Sequence, residues 1–154
     1  MKRNSLLCLA LALVMPLSLI GSAGNAQAQP QDKTLYERLG GYDALAAVTD
    51  DFINRLATDK SLGRFFVGLS EDSKKRVRQL VVDQLCAATG GPCLYLGRDM
   101  KTAHKGMGIT ELDWVTSVKH LVATLDKFKV PKKEKDEVLA AISGLKADIV
   151  EVHK

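Results

Sequence analysis

The sequence predicts a small all-α domain. Three observations carry this expectation. Apolar residues recur at spacings of three and four over most of the chain, the period of a helix with one buried face. Capping residues precede those stretches, and glycine or proline follows them. No run of alternating apolar and polar residues competes as a strand.

The first segment is not part of that fold. Lys2 and Arg3 give a positive start, and residues 6–20 form an almost unbroken apolar run. Ala26-Gln27-Ala28 then places small residues at the two positions a signal peptidase reads. Residues 1–28 thus read as a secretory signal peptide cleaved after Ala28. A permanent anchor needs about 20 apolar residues, more than this run supplies. Cys8 lies inside the run, not after it, which argues against a lipoprotein. Residues 29–33 read as a disordered polar linker and 34–154 as one domain. No other segment is apolar enough to cross a membrane.

Within the domain, Thr34-Leu-Tyr-Glu37 is a capping box opening a short helix that Gly40-Gly41 stops. Leu45, Val48, Phe52 and Leu56 share the face of a second helix. A short segment from 59 to 66 ends in Phe65 and Phe66. Ser70 caps a helix carrying Val77, Leu80, Val81, Leu85 and Ala88, which Gly90-Gly91-Pro92 ends. After a loop, residues 99–105 form one or two turns closed by Gly106 and Gly108. Thr110-Glu-Leu-Asp113 caps a long helix with Trp114, Val118, Leu121, Leu125 and Phe128 on one side. Pro131 suits the first turn of a last helix carrying Val138, Ile142, Leu145, Ile149 and Val152. The short connection predicts that these two long helices pack as an antiparallel pair.

Composition narrows the function. Of 154 residues, 46% are hydrophobic and 26% charged, which excludes a collagen repeat, a coiled coil and wholesale disorder. The net charge of +4 includes Lys2 and Arg3 of the leader. The remaining surface is mixed and makes no case for nucleic acid. None of the three cysteines belongs to a Cys-x-x-Cys pattern, which excludes a zinc ribbon, a thioredoxin site and a covalent c-type haem. Export permits a disulfide between Cys86 and Cys93, but a separation of seven residues fits two separate thiols equally well.

The informative stretch is Tyr95-Leu-Gly-Arg-Asp-Met-Lys-Thr-Ala-His104. His104 ends a helix too short to be stabilised by propensity, so something must pack on it. Met100, one turn earlier on the same face, is a soft filler suited to a flat apolar ligand. One imidazole nitrogen is then available to a metal while the other donates to a carbonyl one turn back. Arg98 and Lys101 stand where they can pair with carboxylates at a cofactor edge. His120 reads as a polar helix position, the alternative being a distant sixth ligand to such a metal, and His153 as a solvated one.

In order and spacing, several segments resemble the group 1 truncated haemoglobins. They are Thr34-Leu-Tyr-Glu-Arg-Leu-Gly-Gly41, Arg64-Phe-Phe66, Gly90-Gly-Pro92 and the stretch from Tyr95 to His104. The resemblance runs from about Thr34 to Val152. It implies a two-over-two helical sandwich around haem b, with His104 as the proximal ligand of the iron. It implies that Phe66, Phe52 and Leu85 line the pocket and that Met100 touches the proximal haem face. Arg98 and Lys101 fall to the propionate edge, and Tyr95 joins the cofactor-binding candidates.

The distal side departs from the best-known pattern of that family. There a tyrosine follows the phenylalanine of the second helix and bonds oxygen; here Ile53 follows Phe52. Val77, Leu80 and Val81 are expected on the distal wall, with Gln79 and Gln84 turned away. The expected site is a five-coordinate ferrous haem under a mostly apolar wall, retaining oxygen modestly. A neutral hydrogen bond contributes about 0.5–1.5 kcal/mol, up to about tenfold in residence.

The function implied is reversible binding of a diatomic gas (O2, NO or CO). The alternative is a haem redox enzyme, a nitric oxide dioxygenase or peroxidase-like catalyst. It would need a separate reductase, since no flavin or nicotinamide motif occurs. A third reading, a helical interaction protein that has lost haem, is disfavoured by the retention of His104, Phe66 and the glycine turns. The expected location is a bacterial periplasm, and the expected state a monomer or weak dimer.

Overall fold

The computed structural model describes residues 32–152. The leader and His153 lie outside the described residues. Thr34 begins the first helix, α1 (Leu35–Arg38). Its hydroxyl accepts the Glu37 N–H at 3.2 Å, while the Glu37 carboxylate accepts the Thr34 N–H at 2.8 Å. Arg38 then ties α1 to the sixth helix, donating to the largely buried Glu134 at 2.6 Å and also to Glu137.

Helix α2 (Gly41–Thr58) buries Leu45, Val48 and Thr49 and packs against two later helices, α3 (Glu71–Ala88) and α5 (Glu111–Lys127). Its Asp51 accepts from Arg55 at 2.6 Å, from Thr124 of α5 at 2.9 Å and from Lys127. Those donors, Arg55 first, hold the Asp51 carboxyl well below the usual range. A 3-10 turn (Gly63–Phe66) carries the two adjacent phenylalanines. Ser70 caps α3, accepting from the Ser73 N–H.

The reversal after α3 demands glycine. Gly90 has φ +82°, and a Cβ on Gly91 would lie 2.5 Å from the Tyr36 ring and 2.7 Å from the Cys86 sulfur. Both approaches are closer than a side chain tolerates. Cys86 and Cys93 are joined across this turn by a disulfide, with their Cα atoms 5.7 Å apart. This decides between the two states that the spacing left open.

Helix α4 (Met100–His104) comes after the loop. In α5, Thr110 and Asp113 form a second reciprocal cap. Helix α6 (Lys132–Ser143) packs against α5 and α1. The last helix differs from the sequence expectation: it is not continuous to Val152. Gly144 ends α6, and α7 (Lys146–Ile149) is a separate four-residue turn. Glycine weakens a helix interior by about 1 kcal/mol relative to alanine. Beyond α7, the Ile109 carbonyl accepts the N–H groups of Glu151 and Val152. These bonds hold the tail beside the start of α5 as an isolated bridge between Thr110 and Val152.

Two clusters form the core. Val48, Leu121, Leu125 and Val138 join α2, α5 and α6; Leu45, Leu85 and Cys86 join α2 to α3. The pairs α2–α3 and α5–α6 leave a cavity between them.

Candidate functional site

The cavity has a volume of about 350 Å³ and a largely apolar lining contributed by every long helix. Aromatics make up only 5% of the chain, yet three of the four phenylalanines (Phe52, Phe65 and Phe66) and the single tryptophan, Trp114, stand on its wall. That concentration suits a broad, flat apolar guest.

His104 is half-buried and lines the same cavity. Helix α4 is capped by the Asp99 carboxylate, which accepts the Thr102 N–H at 2.9 Å. Within it, His104 Nδ1 lies 2.8 Å from the Met100 carbonyl. A carbonyl only accepts, so Nδ1 carries a proton, and in the neutral tautomer that this bond selects the Nε2 lone pair is free for a ligand. Met100 is itself on the wall.

Beyond His104 the chain turns through Gly106 and Gly108, at φ +81° and +65°. The Glu151 carboxylate accepts the N–H of Gly106 with one oxygen and that of Gly108 with the other, each at 2.6 Å. These two backbone bonds hold the Glu151 carboxyl below its usual range.

Among the expected site residues, Phe52, Ile53, Phe66, Val77, Val81, Leu85, Met100 and His104 all line the cavity. Val77 is also solvent-exposed, so the cavity reaches the surface there. Tyr95, Arg98 and Lys101 are not on the wall. The Tyr95 hydroxyl donates to the Arg98 carbonyl at 2.6 Å, which closes the loop and turns the phenol to a local task. Arg98, just before α4, and Lys101, on α4 itself, are exposed.

Two expectations about α3 are corrected. Leu80 is not a lining residue and Gln84 is. At about 100° per residue, Gln84 lies roughly 20° from Val77 around the helix, whereas Leu80 lies roughly 60° from Val77 on the side away from Val81 and Leu85. Gln79 does face away, donating to the Tyr42 hydroxyl and to Asp83. One amide therefore stands in an otherwise aliphatic stripe.

The sequence reading did not assign Met107, Ile109, Trp114, Leu145 and Ile149 to the site. Several belong to the helical stripes that mark core, and periodicity does not separate core from cavity wall. Asp113 also reaches the wall while buried. Burial opposes its charge, but the Thr110 N–H, the Thr110 hydroxyl and Arg64 outweigh that and keep its carboxyl below the usual range. Arg64 donates to it at 2.7 Å and lies over the Phe65 ring.

The model for bacterial-like globins matches residues 34–151. The group 1 truncated hemoglobin of Mycolicibacterium paratuberculosis is 35% identical over 116 residues, covering 75% of this chain and 83% of the relative. That of Synechocystis is 35% identical over 118 residues, covering 74% and 92%. The chain belongs to the group 1 truncated haemoglobins. The crystal structure of the Tetrahymena pyriformis truncated hemoglobin in its Fe(III) form superposes with a TM-score of 0.70 at 30% identity, covering 77% of this chain and 98% of that one. The fold of this truncated haemoglobin is accordingly the two-over-two helical sandwich, and the molecule is a haem-binding globin for diatomic gases.

The residues present fit that cofactor. The cavity is broad, aromatic and nearly free of charge, and its one imidazole has the protonation pattern of a metal ligand.

Proposed function

We propose that His104 Nε2 holds the haem iron and that this globin binds a diatomic gas reversibly in the same cavity, after export. The observation that carries this is the 2.8 Å contact between His104 Nδ1 and the Met100 carbonyl, on a ring lining the cavity. Haem supplies an iron centre with an open position for a gas. The chain supplies the imidazole, the tautomer, the apolar walls and the exclusion of bulk water. Arg98, exposed just before α4, and Lys101, exposed on it, are available to the two propionates.

Ile53, Val77 and Val81 carry no hydrogen-bond donor, which leaves the Gln84 amide as the donor of the α3 stripe, and dioxygen is retained modestly. Carbon monoxide and nitric oxide depend less on such a donor. The site therefore suits binding of these gases better than turnover of peroxide, and re-reduction of oxidised iron falls to a separate reductase. Residues 1–28 carry the features of a cleaved leader, and the Cys86–Cys93 disulfide suits an oxidising compartment such as the periplasm.

Absorption spectra of the purified protein, ferric, ferrous and with carbon monoxide, test the site. The expected result is a five-coordinate ferrous spectrum that shifts sharply with carbon monoxide. His104→Ala is expected to lose or greatly weaken haem uptake; a normal Soret band in that variant refutes the ligand assignment. A mature protein in the periplasmic fraction whose mass begins at Gln29 is the expected outcome for export.

A further inference from the structure

The short helix bearing His104 is gripped at both ends. Upstream, the Asp99 side chain caps it. Downstream, the chain leaves the helix at Lys105, and the His104 carbonyl accepts the Met107 N–H at 3.1 Å. The two glycine N–H groups on either side of Met107 are bonded by the C-terminal tail, nearly fifty residues later in sequence. Glu151 clasps the N–H groups of Gly106 and Gly108 with its two carboxylate oxygens. The N–H groups of Glu151 and Val152 bond the Ile109 carbonyl. Val150 is buried, and α7 packs against α4. The segment held in this way joins His104 to Ile109, and both residues line the cavity.

We propose that Glu151 is a positioning residue for His104: its carboxylate fixes the 106–108 turn, and through it the direction in which Nε2 is presented to the iron. This rests on His104 being the iron ligand. Three features carry it. A five-residue helix has too little cooperativity to hold its own last residue still. Both glycines adopt positive φ, so with this anchor removed the turn has many alternatives to its present shape. The anchor is a carboxylate on backbone N–H groups, a charge-assisted pair stronger than neutral bonds. The imidazole proton is bonded to the Met100 carbonyl of the same helix, so the ring moves with α4 when the turn loosens.

The test compares wild type with Glu151→Ala, Glu151→Gln and Val150→Ala, all haem-loaded. Val150→Ala weakens the packing of the same tail without touching the clasp. Three quantities are read: hydrogen exchange at Gly106 and Gly108, the iron–histidine stretching band of the ferrous protein by resonance Raman, and the rate of haem transfer to an acceptor apoglobin. In Glu151→Ala both glycine amides are expected to lose protection and the stretching band to shift or broaden. Haem transfer is expected to speed by about tenfold or more, since both bonds to the charged carboxylate are lost. Glu151→Gln, which keeps one acceptor oxygen, is expected to fall between. Val150→Ala is expected to lower the melting temperature with the band in place. A band and transfer rate at wild-type values in Glu151→Ala overturn the positioning role, as does an equal band shift in Val150→Ala. A wild-type protein without a Soret band overturns the haem assignment itself, a result that these variants do not mimic.

Discussion

Replacing Cys86 and Cys93 together with alanine removes a covalent tie between the end of α3 and the loop leading to α4. Alanine is the right replacement, because Cys86 is fully buried and a serine there would bury an unpaired hydroxyl. The bridge closes a sequence separation of 7 residues, for which the chain-entropy relation gives a stabilisation of about 2.4 kcal/mol. An unfolding entropy near 2.1 cal/mol/K per residue over roughly 120 residues converts this into a melting temperature about 9 °C lower. The assay is thermal unfolding of haem-loaded wild type and double variant, followed at 222 nm and at the Soret maximum. Leu85, beside Cys86, lines the cavity, so haem release is expected to move with the helical signal. A shift under about 2 °C would refute the reasoning, since a bridge that constrains the unfolded chain cannot be removed that cheaply. Two free thiols in the mass of the exported wild-type protein would refute its premise.

Two further predictions concern the distal wall and acid. Ile53→Tyr places a hydroxyl on the cavity wall and is expected to slow oxygen dissociation by up to about tenfold in stopped flow, with carbon monoxide release little changed; an oxygen rate equal to wild type would place residue 53 away from the gas. The Asp51 and Asp59 carboxyls are both held below their usual range, Asp51 chiefly by Arg55 and Asp59 chiefly by the Ser61 hydroxyl and His120. A carboxyl whose folded value is depressed contributes stability that is complete above its unfolded value, near about 4, and is lost as pH falls below it. The urea midpoint is therefore expected to fall steeply below pH about 4, and Asp51→Asn to flatten that fall while lowering the midpoint at neutral pH.

Much of the fold was legible because its signals are local. Thr34 with Glu37, Ser70 with Ser73 and Thr110 with Asp113 make the caps that the sequence pattern implies. The cavity-facing positions of α2 and α3 follow from helical phase. Leu80 and Gln84 depart from expectation because the cavity-facing arc of α3 is centred between Val77 and Leu85, which takes in Gln84 and leaves Leu80 beyond its edge. The continuous last helix failed for a different reason. A weak glycine interruption at 144 was combined with a distant carbonyl, that of Ile109, which bonds the tail. No local pattern reports such a partner.

The residues alone determined an all-α chain and the histidine that ends a helix unable to stand by itself, since periodicity, caps and breakers act within a few residues. Tertiary structure alone decided the pairing of Cys86 with Cys93, the clasp of Glu151 on the glycine turn, and which apolar stripes became cavity wall rather than core. Each of these is a meeting of groups whose chemistry permits several partners. Only the packing of α2 and α3 against α5 and α6 selects the partner each group meets.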